Sequence, residues 1–225
     1  LKSNNAHANS THGIIKVLIA DDHAIVREGL KQIIADTSDI VVAGEAENGL
    51  AAIKLARAFP YDVLLLDISM PDKNGIEVLK QLKKEFPALP VLMLSMHRED
   101  QYAIRALKAG ASGYLNKQSA PAELVNAVHL VAAGRKYVTP ALAQELANHL
   151  GDDSAREPHE CLSDREYQTM VLIASGKNVT DIAAEMALSA KTVSVYRTRL
   201  LQKLKLRHNA ELTYYAMRHK LVDEE

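Results

Sequence analysis

The 225-residue sequence predicts a doubly wound α/β domain with a five-stranded parallel sheet, followed by a smaller all-α domain of four helices. Three observations carry this. Five apolar runs, at 15–20, 40–43, 63–66, 91–94 and 112–115, alternate up to about Gly134 with longer segments of helical spacing, the crossovers that consecutive parallel strands need. Past a polar stretch at 151–160 only helical patterns remain. Finally, four of the apolar patches run into residues that handle phosphate or a hard cation: Asp21 with Asp22, then Asp67, Ser95 and Lys117. With the expected strand order 2-1-3-4-5, these four meet at the carboxyl edge of the sheet, where doubly wound folds bind ligands.

Taken in order, residues 1–13 open with LKSNNAHANSTH, which lacks the apolar centre of a secretory signal. They read as a disordered arm or a remnant of expression. Residues 14–134 hold the α/β domain, with Ile76, Leu79 and Leu82 marking one of its helices. Residues 135–161 read as a linker containing a helix over 139–150, because Thr139 offers a capping hydroxyl just before Pro140. The polar GDDSAREPHE segment completes it. Residues 162–225 form the second domain. Ser163 and Glu166 make a capping box, Gly176 stops that helix, and Thr180, Ser189 and Asn209 are the expected caps of the next three.

Bulk properties narrow the function. At 48 % hydrophobic residues, each domain can bury a core. No stretch approaches the roughly 20 apolar residues of a membrane span, so a cytoplasmic protein without membrane contact is expected. A single Cys161 leaves no internal disulfide. The net charge of −1 is uninformative, but Lys191 to Arg207 holds six Lys or Arg and no acid, a surface suited to anions.

At the strand ends, carboxylates brought so close repel one another unless a cation intervenes, and oxygen-only ligands favour Mg²⁺. Asp67, central among them, can attack a phosphoryl group while Lys117 offsets charge on the transferred oxygens and Ser95 donates a hydrogen bond. Each residue has an ordinary alternative: Asp22 could cap a helix, Ser95 close a strand, Lys117 sit on the surface. Their coincidence at neighbouring strand ends favours a site. A dehalogenase-like phosphatase would want a second aspartate where Ser69 stands, and a dinucleotide enzyme a G-x-G-x-x-G where the chain has DDHAIV.

With Asp21-Asp22, LLLDISMP around Asp67, Ser95, Tyr114 and Lys117, residues 14–134 resemble the receiver domain of bacterial two-component response regulators, which has a flavodoxin-like fold. The resemblance implies that Asp67 is the phosphoacceptor and that Asp21, Asp22, Asp67 and the backbone carbonyl of Ser69 bind Mg²⁺. It makes Ser95 and Tyr114 the conformational switch, and Ser69 and His97 residues that tune phosphate lifetime. Gln118 follows Lys117 where many receivers carry proline.

In the second domain, Val193, Leu200 and Leu204 share one stripe of a helix, and Lys191, Ser194, Val195, Thr198, Gln202 and Lys205 the opposite one. A helix of this kind fits the major groove, with Arg197, Arg199 and Lys203 placed for phosphates and Lys191 and Thr192 at its N-terminal turn. A preceding helix, Thr180 to Ala187, joined by a very short turn, makes a helix-turn-helix. Aromatic residues, at 4 % with no Trp, argue against a single-strand stacking platform.

LSDRE and ASGKNVTDIAAEMALSAKTVSVYRTRLLQKLKL make residues 162–221 similar to the LuxR-type DNA-binding domain, and the two halves together resemble the NarL/FixJ family. The last helix, Asn209 to Leu221, is expected to expose Leu212, Tyr215, Ala216 and His219 at helical spacing. The resemblance implies that Ser194, Val195 and Thr198 face bases and that this last helix pairs two copies; simple packing of it onto its own domain is the equal alternative. The expected function is a phosphorylation-controlled transcription regulator, not an enzyme beyond self-phosphotransfer and autodephosphorylation at Asp67. Its partners would be a sensor histidine kinase, double-stranded DNA and a second copy of itself. Phosphorylation is expected to move Ser95, turn Tyr114 inward and change the pairing of the surface around 98–133, releasing a receiver that covers the recognition helix or the last helix. A receiver serving as a phosphate sink or protein partner, or an enzyme of small phosphate esters, are the competing readings.

Overall fold

The computed structural model describes residues 13–70, 73–96, 100–140, 142–144, 146, 157–219 and 221–222. The first part alternates β1 (Ile15–Ala20), α1 (Ala24–Ala35), β2 (Ile40–Ala46), α2 (Gly49–Ala58), β3 (Val63–Asp67), α3 (Gly75–Glu85), β4 (Val91–Ser95), α4 (Asp100–Lys108), β5 (Gly113–Asn116) and α5 (Ala120–Ala132). All pairings are parallel, in the order β2-β1-β3-β4-β5. The strands are near-continuous Val, Ile and Leu because helices cover both sheet faces, and β3 and β4 are buried throughout. Alternate residues feed two cores: Leu18, Leu64 and Met93 on one face, Val17, Leu65 and Leu92 on the other.

Two local features aim the sheet edge. Gly75 starts α3 so close to β3 that a Cβ there would lie 2.0 Å from the Asp67 carbonyl oxygen, so only glycine fits. The backbone N–H of Lys117 donates to the Ser95 carbonyl at 2.8 Å, tying the ends of β4 and β5.

After α5, Thr139 does act as a cap: its Oγ1 accepts from the Leu142 N–H at 3.3 Å. Residues 140, 142–144 and 146 are helical, as expected; 141, 145, the rest of the expected helix from 147 to 150, and the polar linker up to 156 lie outside the described residues. Its end is not loose. A 3-10 turn, Pro158–Cys161, packs into the second domain with His159 only 2 % exposed.

The second domain contains α6 (Asp164–Ala174), α7 (Val179–Glu185), α8 (Ala190–Leu204) and α9 (Asn209–Arg218). The capping box forms in full, with Ser163 accepting from the Glu166 N–H and Glu166 accepting from the Ser163 N–H. Gly176 ends α6 with φ of +80°. Ser189 caps α8. Two expected caps are corrected. Asn178, not Thr180, starts α7, its Oδ1 accepting from the N–H groups of Thr180 and Asp181. His208, not Asn209, starts α9, because the Asn209 amide oxygen is taken by the Arg197 guanidinium at 2.6 Å.

The receiver-like domain docks on α6. Arg105 of α4 lies 4.2 Å from the Tyr167 ring centre and donates to the carbonyls of Leu162 (2.9 Å) and His159 (2.6 Å). Tyr102 meets Tyr167 edge-on at 4.9 Å, Lys80 pairs with Asp164 at 2.6 Å, and Asn74 donates to Gln168 at 3.1 Å. Residues Asp164 to Ile173 are consequently buried all round, polar ones included.

Candidate functional site

The sheet edge gathers the expected residues. Asp21 and Asp67 are 0 % and 2 % exposed, and Lys117 bridges them, its Nζ 2.7 Å from Asp21 Oδ2 and 2.9 Å from Asp67 Oδ1. Asp22 is part-exposed and pairs with His23 Nδ1 at 2.9 Å, while the His23 backbone N–H donates to Asp21 Oδ1. Asp22 does not cap α1; that position belongs to His23, whose side chain makes no capping bond. Ser95 is 1 % exposed, and Ser69 is half-buried. His97 lies outside the described residues.

Burial pushes the Asp67 carboxyl up to about 6; Lys117 pulls it down, and Asp21 and Asp22 push it further up. For Lys117, burial favours the neutral amine, but the Asp67 and Asp21 carboxylates outweigh it and its pKa is raised. One ammonium thus faces two buried carboxylates, with the third, Asp22, beside them. Asp67 Oδ2 is buried with no hydrogen-bond partner, and one ligand atom from each of Asp21, Asp22, His23 and Asp67 lies within 4.8 Å of the others. An orphaned buried carboxylate oxygen in an oxygen-rich cluster fits a hard divalent cation.

Tyr114 is fully buried, so the ring expected to turn inward on phosphorylation already points inward. It shares a hydrophobic cluster with Tyr102 and Tyr167, which links β5 through α4 to α6.

On α8 the inner stripe of Val193, Leu200 and Leu204 is buried and the outer stripe of Lys191, Ser194, Val195, Thr198, Gln202 and Lys205 is exposed. The hydroxyls of Ser194 and Thr198 bond back to the helix carbonyls of Ala190 and Ser194. Thr192 is half-buried, its hydroxyl on Ser189 at 2.8 Å. Arg199 is exposed, but Arg197 is spent on Asn209, and Lys203 pairs with Glu166 at 2.6 Å. Among the described residues the receiver packs on α6 rather than on α8 or the last helix, which corrects that expectation. In α9, Leu212 and Ala216 are not exposed. Both are fully buried in their own domain, because α9 packs on α6. Tyr215 and His219 are half-buried, and the exposed ring of the helix is Tyr214.

Comparison with known proteins agrees with this geometry. Residues 17–129 match the response regulator receiver domain, and residues 160–216 match the bacterial regulatory proteins of the luxR family. The chain is 38 % identical over 213 residues to response regulator UvrY of Escherichia coli K12, covering 94 % of this chain and 98 % of that one.

The chain is a response regulator of the NarL/FixJ family.

It is a phosphorylation-regulated DNA-binding transcription regulator of a two-component system. The regulator is also 37 % identical over 211 residues to response regulator GacA of Pseudomonas aeruginosa, covering 93 % of this chain and 99 % of that one. RcsB of Salmonella enterica serovar Typhimurium, solved bound to promoter rprA with the phosphomimetic BeF3-, superposes with a TM-score of 0.62 at 28 % identity, covering 90 % of the regulator and 98 % of that chain. Among the described residues no helix is long and apolar enough to cross a membrane.

Sequence reasoning missed His23, whose only signal was its place after Asp22, and missed Tyr102 and Arg105. These two sit on α4, an ordinary-looking amphipathic helix.

Proposed function

We propose that Asp67 accepts a phosphoryl group from a sensor histidine kinase and that the charge so placed loosens the seam between α4 and α6. The observation that carries this is the buried Asp67 carboxylate, with Oδ1 on Lys117 and Oδ2 without a hydrogen-bond partner. The Asp67 carboxylate attacks phosphorus, the kinase imidazole leaves, and Lys117 Nζ meets the new phosphoryl oxygens. Mg²⁺, held by Asp21, Asp22, Asp67 and the Ser69 backbone carbonyl, would neutralise charge on those oxygens. Ser95, at the end of the neighbouring strand, donates its hydroxyl to the same group. Ser69 and His97 set how long the phosphate lasts.

A dianionic phosphate at this edge draws Ser95 and the β4–α4 connection toward it, which shifts α4 under Tyr102 and Arg105. Because Tyr114 is already inward, the change passes through its packing on α4 rather than through a swing of the ring. The freed second domain then sets α8 in the major groove of promoter DNA. Ser194, Val195 and Thr198 read base edges, and Lys191, Thr192 and Arg199 hold phosphates. Arg197 and Lys203 join them only by giving up Asn209 and Glu166. Two copies pair through α9, with Tyr214 in the contact rather than the buried Leu212 and Ala216, and Tyr215 and His219 at its margin. The regulator works in the cytoplasm, and its own chemistry is limited to self-phosphotransfer and loss of that phosphate.

The test is incubation with Mg²⁺ and acetyl phosphate, followed by gel filtration and capture of genomic DNA fragments in competitor DNA, beside Asp67→Asn. Dimer formation and selective capture, both absent from the variant, are expected. Phosphate uptake with no change in DNA binding would exclude the coupling.

A further inference from the structure

A second cluster of metal-ligating side chains lies far along the chain from the sheet edge. Glu157, just before the 3-10 turn, and His159, within it, meet His219, just past α9, with one ligand atom from each within 4.8 Å of the others. We infer that Glu157, His159 and His219 bind one zinc ion, tying the segment that leads into the DNA-binding domain to the end of its last helix.

The donor set is the first argument. Two imidazoles and a carboxylate suit a borderline ion such as Zn²⁺, whereas the all-carboxylate edge of the receiver suits Mg²⁺. Three protein ligands leave the fourth tetrahedral position to water. The spacing agrees: His219 Nδ1 is 3.5 Å from Glu157 Oε2, and two donors on one tetrahedral zinc stand about 3.4 Å apart. Access and rigidity follow from the packing. The Glu157 and His219 side chains are 48 % and 25 % exposed, so an ion can enter from solvent. His159 is buried and held at Nδ1 by the Tyr215 hydroxyl at 3.0 Å, and the His219 ring stacks on the Tyr215 ring at 4.3 Å. A hydrogen-bonded partner that fixes a ligand's ring orientation is what metal-binding histidines ordinarily have. The His159 carbonyl also receives Arg105, so a metal on this residue steadies the seam with the receiver.

The test uses the full chain with Mg²⁺ in excess to fill the receiver site, and Co²⁺ as the probe. One equivalent should give the intense visible absorption of a four-coordinate ion, displaced by Zn²⁺, and Zn²⁺ should raise Tm. Both effects should persist in Asp67→Asn and vanish in His219→Ala and in Glu157→Gln, two variants at partly exposed positions that leave the metal-free Tm near that of the parent. A weak six-coordinate spectrum alone, or absorption that survives His219→Ala and Glu157→Gln, would overturn the inference.

Discussion

Helices α6 and α8 carry similar mixtures of residues and meet opposite fates. Along α6, Asp164, Arg165, Glu166, Gln168 and Thr169 are buried beside Tyr167 and Met170. Along α8, Ser194, Val195, Thr198 and Arg199 stay in solvent while Val193 and Leu200 go inside. The difference is a neighbour. The receiver lays α3 and α4 on the polar face of α6 and supplies Lys80, Arg105 and Asn74 to satisfy it. Nothing among the described residues does so for the outer face of α8, which leaves that face for a ligand. A buried polar surface that is fully matched is specific and breakable, so the α6 seam is the part a phosphate can switch.

The largest break is expected from Arg105→Ala. It removes a stacked guanidinium, two hydrogen bonds to carbonyls and a 3.7 Å contact with Asp164. Charged hydrogen bonds contribute about 1.5–3 kcal/mol each, so the docked state should lose at least about 3 kcal/mol. Small-angle scattering should report a more extended chain, and limited proteolysis should cut before residue 157 faster.

Next comes Asp67→Asn. Between the ordinary carboxyl value of 3.8 and about 6, the folded chain holds a proton that the unfolded chain has released. Stability therefore falls as pH rises through that window, and above it the charged Asp67 costs on the order of 3 kcal/mol. The variant should be more stable than the parent by about 2–3 kcal/mol at pH 8 without Mg²⁺. The gap should close near pH 4 and shrink when Mg²⁺ is added, as denaturant melts at each pH would show. It sharpens the comparison because α8 should be indifferent to both conditions.

Changes on α8 should separate binding from folding. Val195→Ala and Thr198→Ala should alter stability by less than about 0.5 kcal/mol. Each should weaken specific promoter binding by about 1–3 kcal/mol, measured by fluorescence anisotropy at fixed salt. The smallest effect is at the turn between α7 and α8, where Ala187 sits at φ of +50°. Ala187→Gly removes that strain and should raise stability by about 0.5–1 kcal/mol in thermal melts, with DNA affinity unchanged.

How far the sequence could be read follows from the same contrast. The strands were legible because burial on both faces leaves uninterrupted apolar runs, and Asp67 stood out because a carboxylate ending VLLL has few structural reasons to be there. Ser163 with Glu166 was legible because the box is a local, reciprocal pattern. The caps of α7 and α9 were each misplaced by one or two positions, since Asn178 precedes Thr180 and His208 precedes Asn209 and only geometry ranks adjacent polar residues. The seam was illegible: DREYQ at the start of α6 looks like a solvated turn, and nothing local shows that Arg105, 62 positions before Tyr167, lies over its ring. Leu212 and Ala216 fit either an inner or an outer face until α9 was seen on α6.

The most direct test is amide hydrogen exchange of Asp164–Ala174 against Ala190–Leu204, with and without acetyl phosphate and Mg²⁺. Phosphorylation should lower protection in the first helix and leave the second unchanged, with no response from Asp67→Asn. Unaltered protection of Asp164–Ala174 in fully phosphorylated protein would contradict a seam released by phosphate.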